Sequence, residues 1–194
     1  MSHESTIRTV RATLVSVFVE VDVWLESDLA KRMFNPVAGG WSIDQVLEHI
    51  ALTNRFLLLT LRKSVGVAEK RARRGDLILQ GESDLTRLLV IGERGSFNWV
   101  RPEHMEPSGG LSTAEVRSLL NRQLSECLSL LERISDGVGT LCLVTMTVNN
   151  LGKIDLYQWL FFFAQHARRH LSQLFAIEAE FLGRVGERVG GPGA

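Results

Sequence analysis

The chain has 194 residues, of which 45% are apolar and 23% are charged, so it can bury the core of one domain and lacks the composition of a disordered protein. Its 22 basic and 22 acidic side chains balance to a formal net charge of zero. That balance gives no electrostatic argument for nucleic acid or for an anionic membrane surface, and we expect neither as a partner.

The cysteines, the first residues and the apolar runs favour the cytoplasm. Cys127 and Cys142 are too few for a disulfide framework and form no C-x-x-C motif, so we expect reduced thiols. Residues 1–4 lack the basic region and apolar core that begin a signal peptide. The longest apolar runs, 141–146 and 156–164, fall short of the roughly 18 residues that span a membrane.

The first third of the chain predicts two helices. Apolar residues recur at three- and four-residue steps over about 6–30, which predicts the first helix, and the prolines and glycines of 35–40 separate it from the next. A capping box formed by Ser42 and Gln45 begins the second helix. We expect this helix to fade near 62–66.

The stretch from about 67 to 110 carries no long element. It holds a basic run at 70–74 and a short helical pattern at 87–91, and prolines and glycines mark its end. A segment of this length without a clear element is unusual in a compact domain. We therefore expect a crossover that either takes part in function or packs over the helices.

The rest of the chain predicts two further helices. A second capping box, Ser112 with Glu115, begins the third helix, which ends near Gly137. The fourth helix runs from about Asp155 to Leu182 and is followed by glycines.

Four long helices with one long crossover between the second and the third predict an all-α fold, an antiparallel up-down four-helix bundle over residues 1–183. A less regular all-α fold of five or six helices is the alternative. The apolar stretch 141–148 is compatible with extended structure but does not by itself make a sheet. For residues 184–194 we expect a flexible glycine-rich tail.

Two histidines of the fourth helix are candidate metal ligands. His166 and His170 are four residues apart, so their side chains lie on one face, one turn apart. That face also holds core-type residues such as Trp159 and Phe163, and a polar group buried there needs a partner. A metal ion and a hydrogen-bond network both satisfy this need, and the spacing does not decide between them.

His49 of the second helix is the candidate third ligand. Taken alone, it is equally a histidine at the edge of the core beside Val46 and Ile50. With His166 and His170 it completes the three-histidine set of a catalytic metal site that keeps a coordination position open. A carboxylate di-iron site is disfavoured because none of the three histidines has a glutamate three residues before it.

Two segments of the sequence resemble the DinB/YfiT-like superfamily. The segment 40–50, from Gly-Trp-Ser to Leu-Glu-His-Ile, is similar to the family's "W-S-x-x-x-V-L-x-H-L" motif. The segment 151–173, with its Gly, Trp and His-x-x-Arg-His-x-x-Gln, is similar to the family's C-terminal motif. Many relatives carry a His-Pro pair where this chain has Asn149 and Asn150, and the crossover matches no family segment. These departures leave the substrate open.

The resemblance implies a four-helix bundle that binds a divalent metal through His49, His166 and His170. It also implies a metal-dependent enzyme that acts on a small molecule, either a hydrolase or a transferase or isomerase that uses a low-molecular-weight thiol. Imidazole ligands favour zinc or nickel as the ion. The competing hypothesis is a non-catalytic helical interaction protein whose histidines bind metal structurally or not at all.

Neighbouring residues have less specific roles. Arg169 either steadies an anionic substrate group or reaches to solvent, and Gln173 either orients His170 or bonds locally. Glu48 is expected to point away from the metal, since adjacent helical residues diverge by about 100°. His104 is expected to be a solvated loop residue, and Trp41 a core residue.

The fourth helix carries a second apolar stripe on the side opposite the histidines. A bundle helix normally keeps one face in water, so a second apolar face needs a cover. We expect either the crossover or a second subunit to provide it, and we predict a symmetric homodimer that uses this helix. The stripe comprises Tyr157, Phe161, Ala164, Leu171, Phe175 and Leu182.

Overall fold

Four long helices account for most of the chain in the computed structural model, which describes residues 3–78, 82–97 and 102–189, with side chains to 186. In chain order the helices are α1 (His3–Trp24), the one-turn α2 (Leu29–Arg32), α3 (Ile43–Arg73), α4 (Thr113–Arg133) and α5 (Leu156–Val189). The helices α1 and α3 each pack against both α4 and α5, so the four long helices form a ring around one apolar core. The predicted all-α bundle is therefore confirmed.

Reciprocal caps set where three of the long helices begin. In each cap, the first side chain accepts a hydrogen bond from a main-chain N–H three residues on, and the third helical residue bonds back to the cap. The two caps predicted for the second and third helices are confirmed, and α5 has a third of the same kind. The pairs are Ser42 with Gln45, Ser112 with Glu115, and Asp155 with Gln158.

Two helices run further than their predicted ends. Helix α3 continues through the basic run to Arg73, because Val65 and Ala68 are buried in the core and extend its apolar face. Helix α5 continues to Val189 through Gly183, since a glycine in an exposed helix costs only about 1 kcal/mol relative to alanine. The glycine-rich residues 190–194, on which part of the tail prediction falls, lie outside the described residues.

A short hairpin connects α4 to α5. Strands β1 (Val144–Met146) and β2 (Gly152–Ile154) pair antiparallel, with Val144 opposite Ile154. The predicted extended stretch therefore has a partner strand, which the sequence pattern did not indicate. Asn149 and Asn150 lie between the strands with φ of 47° and 52°, a left-handed conformation that asparagine tolerates better than most residues.

The crossover packs over the bundle, one of its two expected roles. A 3₁₀ segment over Thr86–Gly92 confirms the short helical pattern and packs against α5, with Leu88 and Ile91 fully buried. A second one, Glu103–Met105, packs against α3. These two segments of the crossover are thus placed next to the two helices that carry the candidate histidines.

Most of the second apolar stripe of α5 is buried within the chain itself. Tyr157, Phe161 and Leu171 are buried, and α1 is a main neighbour of α5. Phe175 and Leu182 remain exposed, each at 57%. Within the described ranges, no helix combines the length and the apolar character that a bilayer crossing requires.

Candidate metal centre

Three histidines from two helices converge at one side of the bundle. Helix α3 contributes His49, and α5 contributes His166 and His170 one turn apart. The nitrogen atoms that these side chains offer all lie within 4.8 Å of one another. His49 and His166 are buried, and His170 is partly exposed. The structure thus brings together the three residues that the sequence singled out, and their role as metal ligands stays a prediction.

Hydrogen bonds orient two of the three rings. His49 Nδ1 donates to the main-chain carbonyl of Met105 at 2.7 Å, and His170 Nδ1 lies 3.0 Å from Gln173 Oε1. An Nδ1–H in each of these bonds leaves the Nε2 lone pair for a ligand. His170 Nε2 lies 3.1 Å from His166 Nε2, so the lone-pair side of His170 faces the centre of the group.

The buried position of His166 keeps its ring neutral. Removal from water lowers the pKa of His166 well below the ordinary value, and the nearby His170, His49 and Arg169 lower it further. Neutral imidazole is the form that binds metal ions, so this environment suits a ligand. Three imidazoles whose nitrogen atoms lie this close together could hold a metal ion.

Glu48 does not belong to the histidine group. Its carboxylate is buried and accepts hydrogen bonds from the main-chain N–H and the hydroxyl of Ser108, at 3.0 and 2.8 Å, and from the N–H of Gly109 at 2.7 Å. The prediction that Glu48 points away from the histidines is confirmed. Its role is to fasten the end of the crossover to α3.

A cavity of about 630 Å³ opens over the three histidines. Besides them, its wall includes Trp41, Arg94, Phe97 and Gln173. The ring of Trp41 lies 4.7 Å from that of His49, centroid to centroid, so the expectation that Trp41 serves the core alone is wrong. Arg94 and Phe97 come from the crossover, where no motif of the sequence marked them.

Arg169 binds the crossover. Its guanidinium donates to the carbonyls of Glu93 and Phe97, the latter at 3.1 Å, and to the hydroxyl of Ser96 at 3.2 Å. It also lies 4.7 Å from the centroid of the Phe97 ring. These contacts hold one wall of the cavity in place. Arg169 itself lines the cavity, and its predicted role toward an anionic substrate group stays a prediction.

His104 lies apart from the centre. It is exposed, and its ring lies 4.8 Å from that of Phe56, centroid to centroid. The expectation of a solvated loop histidine is confirmed.

Comparison with known proteins identifies a family for this chain. A family model described as the DinB superfamily matches residues 6–174, which include all three histidines. Neither the curated proteins nor the solved structures gave a significant match. The family match covers most of the chain and both of the segments that resemble the family. The chain therefore belongs to the DinB superfamily.

Proposed function

We propose that this protein is a divalent-metal-dependent enzyme that acts on a small molecule, with His49, His166 and His170 as the metal ligands. The observation that carries the proposal is the convergence of three imidazoles at the wall of a cavity of about 630 Å³. A structural site would be closed by a fourth protein ligand, and among the described residues the group consists of these three histidines alone.

The chain's own residues prepare this site. The Met105 carbonyl and Gln173 fix the rings of His49 and His170, and burial keeps His166 neutral. When bound, a zinc or nickel ion supplies Lewis acidity that makes water or a thiol a better nucleophile near neutral pH. Arg94 adds a positive charge at the exposed rim, which favours an anionic group on the substrate.

Two reaction classes are consistent with the site, namely hydrolysis and S-transfer that uses a low-molecular-weight thiol. The first requires room for a water beside the histidines, and the second requires room for a thiol and a second substrate. The open cavity supports both, so substrate screens decide between them.

The test is metal content, measured by mass spectrometry on untagged protein purified without chelator. We expect about one equivalent of zinc or nickel, lost in His49→Ala and His166→Ala and retained in His104→Ala, with the helical circular dichroism of all variants unchanged. A protein without metal, or with metal that is indifferent to both substitutions, contradicts the proposal. That result would favour the non-catalytic interaction protein.

We also propose a symmetric homodimer in the cytoplasm. Phe175 and Leu182 on α5 and Val19 and Val23 on α1 are exposed apolar residues on two neighbouring helices. A shallow cavity of about 290 Å³ between Val23 and Phe175 joins the two helices there. Size-exclusion chromatography with light scattering is expected to give a dimer that Phe175→Glu dissociates, and a monomer at micromolar concentration contradicts this.

Two buried free cysteines support the proposed cytoplasmic location, because disulfides are rare in that compartment.

A further inference from the structure

A second cavity lies directly beside the histidine cavity. It has a volume of about 510 Å³ and is bounded by α3, the crossover, the hairpin and α5. Three residues, Thr53, Phe97 and Met105, line both cavities and therefore separate them. The function proposed above makes no use of this second space.

The two cavities differ in chemistry. The histidine cavity has Arg94, Arg169 and three imidazoles in its wall, whereas none of the described residues that line the second cavity is charged. The side chains of Leu57, Trp159 and Phe162 supply apolar surface there, and four threonines and Asn149 add neutral polar groups. A wall of this kind accepts a neutral apolar group and disfavours a charged one, because no charged side chain among its described residues compensates the loss of water.

Thr53 lines both cavities and lies beside His49. It lies one turn after His49 on α3, and its hydroxyl is 3.5 Å from His49 Nε2. Its side chain is buried and lines both cavities. A molecule held in the second cavity against this threonine is therefore close to His49.

We propose that the second cavity binds the neutral apolar part of the substrate, an aromatic ring or a branched alkyl chain, while the reacting end lies at the histidines. This assignment rests on the proposed function, because only an enzyme has a substrate. The binding of an apolar group is testable without any reaction. It narrows the substrate to a molecule with one polar end and one apolar end.

The probe is N-phenyl-1-naphthylamine, a neutral aromatic dye whose fluorescence rises in apolar surroundings. We expect saturable binding at one site per chain. Thr60→Phe fills the cavity from α3, and Val148→Phe fills it from the hairpin, because both residues line it. Each is expected to weaken dye binding at least tenfold. Leu59→Phe is the matched control, since Leu59 is exposed on the same helix and outside the cavity wall.

Further variants locate the dye. Retention of dye binding in His166→Ala supports the assignment. This result is independent of the metal proposal, because failure of that proposal is detected only by measuring metal content. Binding lost in His166→Ala would put the dye at the histidines, and binding lost in Phe175→Glu would put it at the exposed apolar residues of α1 and α5. Either loss overturns the assignment, as does equal binding by the wild type and both filled variants, or no saturable binding at all.

Discussion

His49 Nδ1 donates a hydrogen bond of 2.7 Å to the main-chain carbonyl of Met105, 56 residues further along the chain. One candidate ligand is therefore oriented by the crossover and not by the helix that carries it. The crossover is in turn fastened by Glu48 on α3 and by Arg169 on α5. A change at Glu48 should therefore reach the histidine group without touching it.

Glu48→Gln is expected to lower both stability and metal affinity. The amide loses the charge that accepts from Ser108 and Gly109, and it places an N–H against one of these donors. Loss of hydrogen bonds to a buried charged group costs about 1–3 kcal/mol in the free energy of unfolding. Urea unfolding and a competition titration with a metal-binding dye measure the two effects. Glu103→Gln, at an exposed position in the crossover, is the control, and equal behaviour of both variants contradicts this role.

Gln173→Ala is expected to weaken metal binding by about 10- to 100-fold, the usual effect of removing the partner that orients a ligating histidine. The His170 Nδ1 loses its acceptor at 3.0 Å, and the ring is then free to turn. Gln173→Glu retains an acceptor and should restore the affinity. The neighbouring exposed Ser172→Ala is the control in the same competition titration. An affinity that does not respond to Gln173→Ala would show that the ring is held by other contacts.

Arg169→Met is expected to loosen the wall of the histidine cavity. The variant loses donors to the Phe97 carbonyl and the Ser96 hydroxyl, so amide hydrogen exchange should become faster over residues 93–97. Metal content should not change, because Arg169 contacts the crossover. Arg122→Met on the exposed side of α4 is the control. Unchanged exchange in Arg169→Met contradicts the proposed contact.

Asp155→Asn should gain stability relative to the wild type as the pH rises. Burial raises the pKa of Asp155, although bonds from Gln158 and Ser83 oppose this. A raised pKa means that the folded state favours the protonated carboxyl. The wild type therefore loses stability as the pH rises from the ordinary pKa of about 3.9 through the raised value. Asparagine is as good a helix cap as aspartate and does not titrate.

Urea unfolding of wild type and Asp155→Asn between pH 3.5 and pH 7, roughly spanning that range, measures this difference. A difference that stays constant with pH, or that shifts toward the wild type as pH rises, would contradict the direction of the shift.

Gly139→Ala is expected to destabilise the protein by about 1–3 kcal/mol, the usual cost of overpacking. An added Cβ would lie 2.7 Å from the buried ring of Tyr157, and that ring is held by hydrogen bonds to Ile134 and Gly139. Gly66→Ala in α3 meets open space and should stabilise by about 0.5–1 kcal/mol. Thermal unfolding compares the two, and the same sign for both would contradict the packing argument.

The sequence predicts the parts of this molecule that depend on neighbouring residues. The starts of α3 and α4 follow from Ser42 and Ser112, whose caps involve residues three positions away. The ends of the helices are harder to predict. The continuation of α3 past residue 66, for example, depends on the burial of Val65 and Ala68 against distant segments. Glycine at 183 weakens a helix without ending it.

The same limit applies to the candidate site. The three histidines are found because a four-residue spacing and two family-like segments mark them. The contacts of Trp41 with His49 and of Arg169 with Phe97 depend on how the crossover folds back, and no local pattern encodes that. His49 indicates a metal site only when it is considered together with His166 and His170.

The division of the three histidines between α3 and α5 also bears on synthesis at the ribosome. His49 emerges early, whereas His166 and His170 are made only after α4 and the hairpin. The nascent chain therefore presents a single histidine of the group for most of translation, and one imidazole holds a divalent ion weakly. Under the proposed function, ion capture therefore waits for α5, and a chain truncated before α5 lacks two of the three proposed ligands.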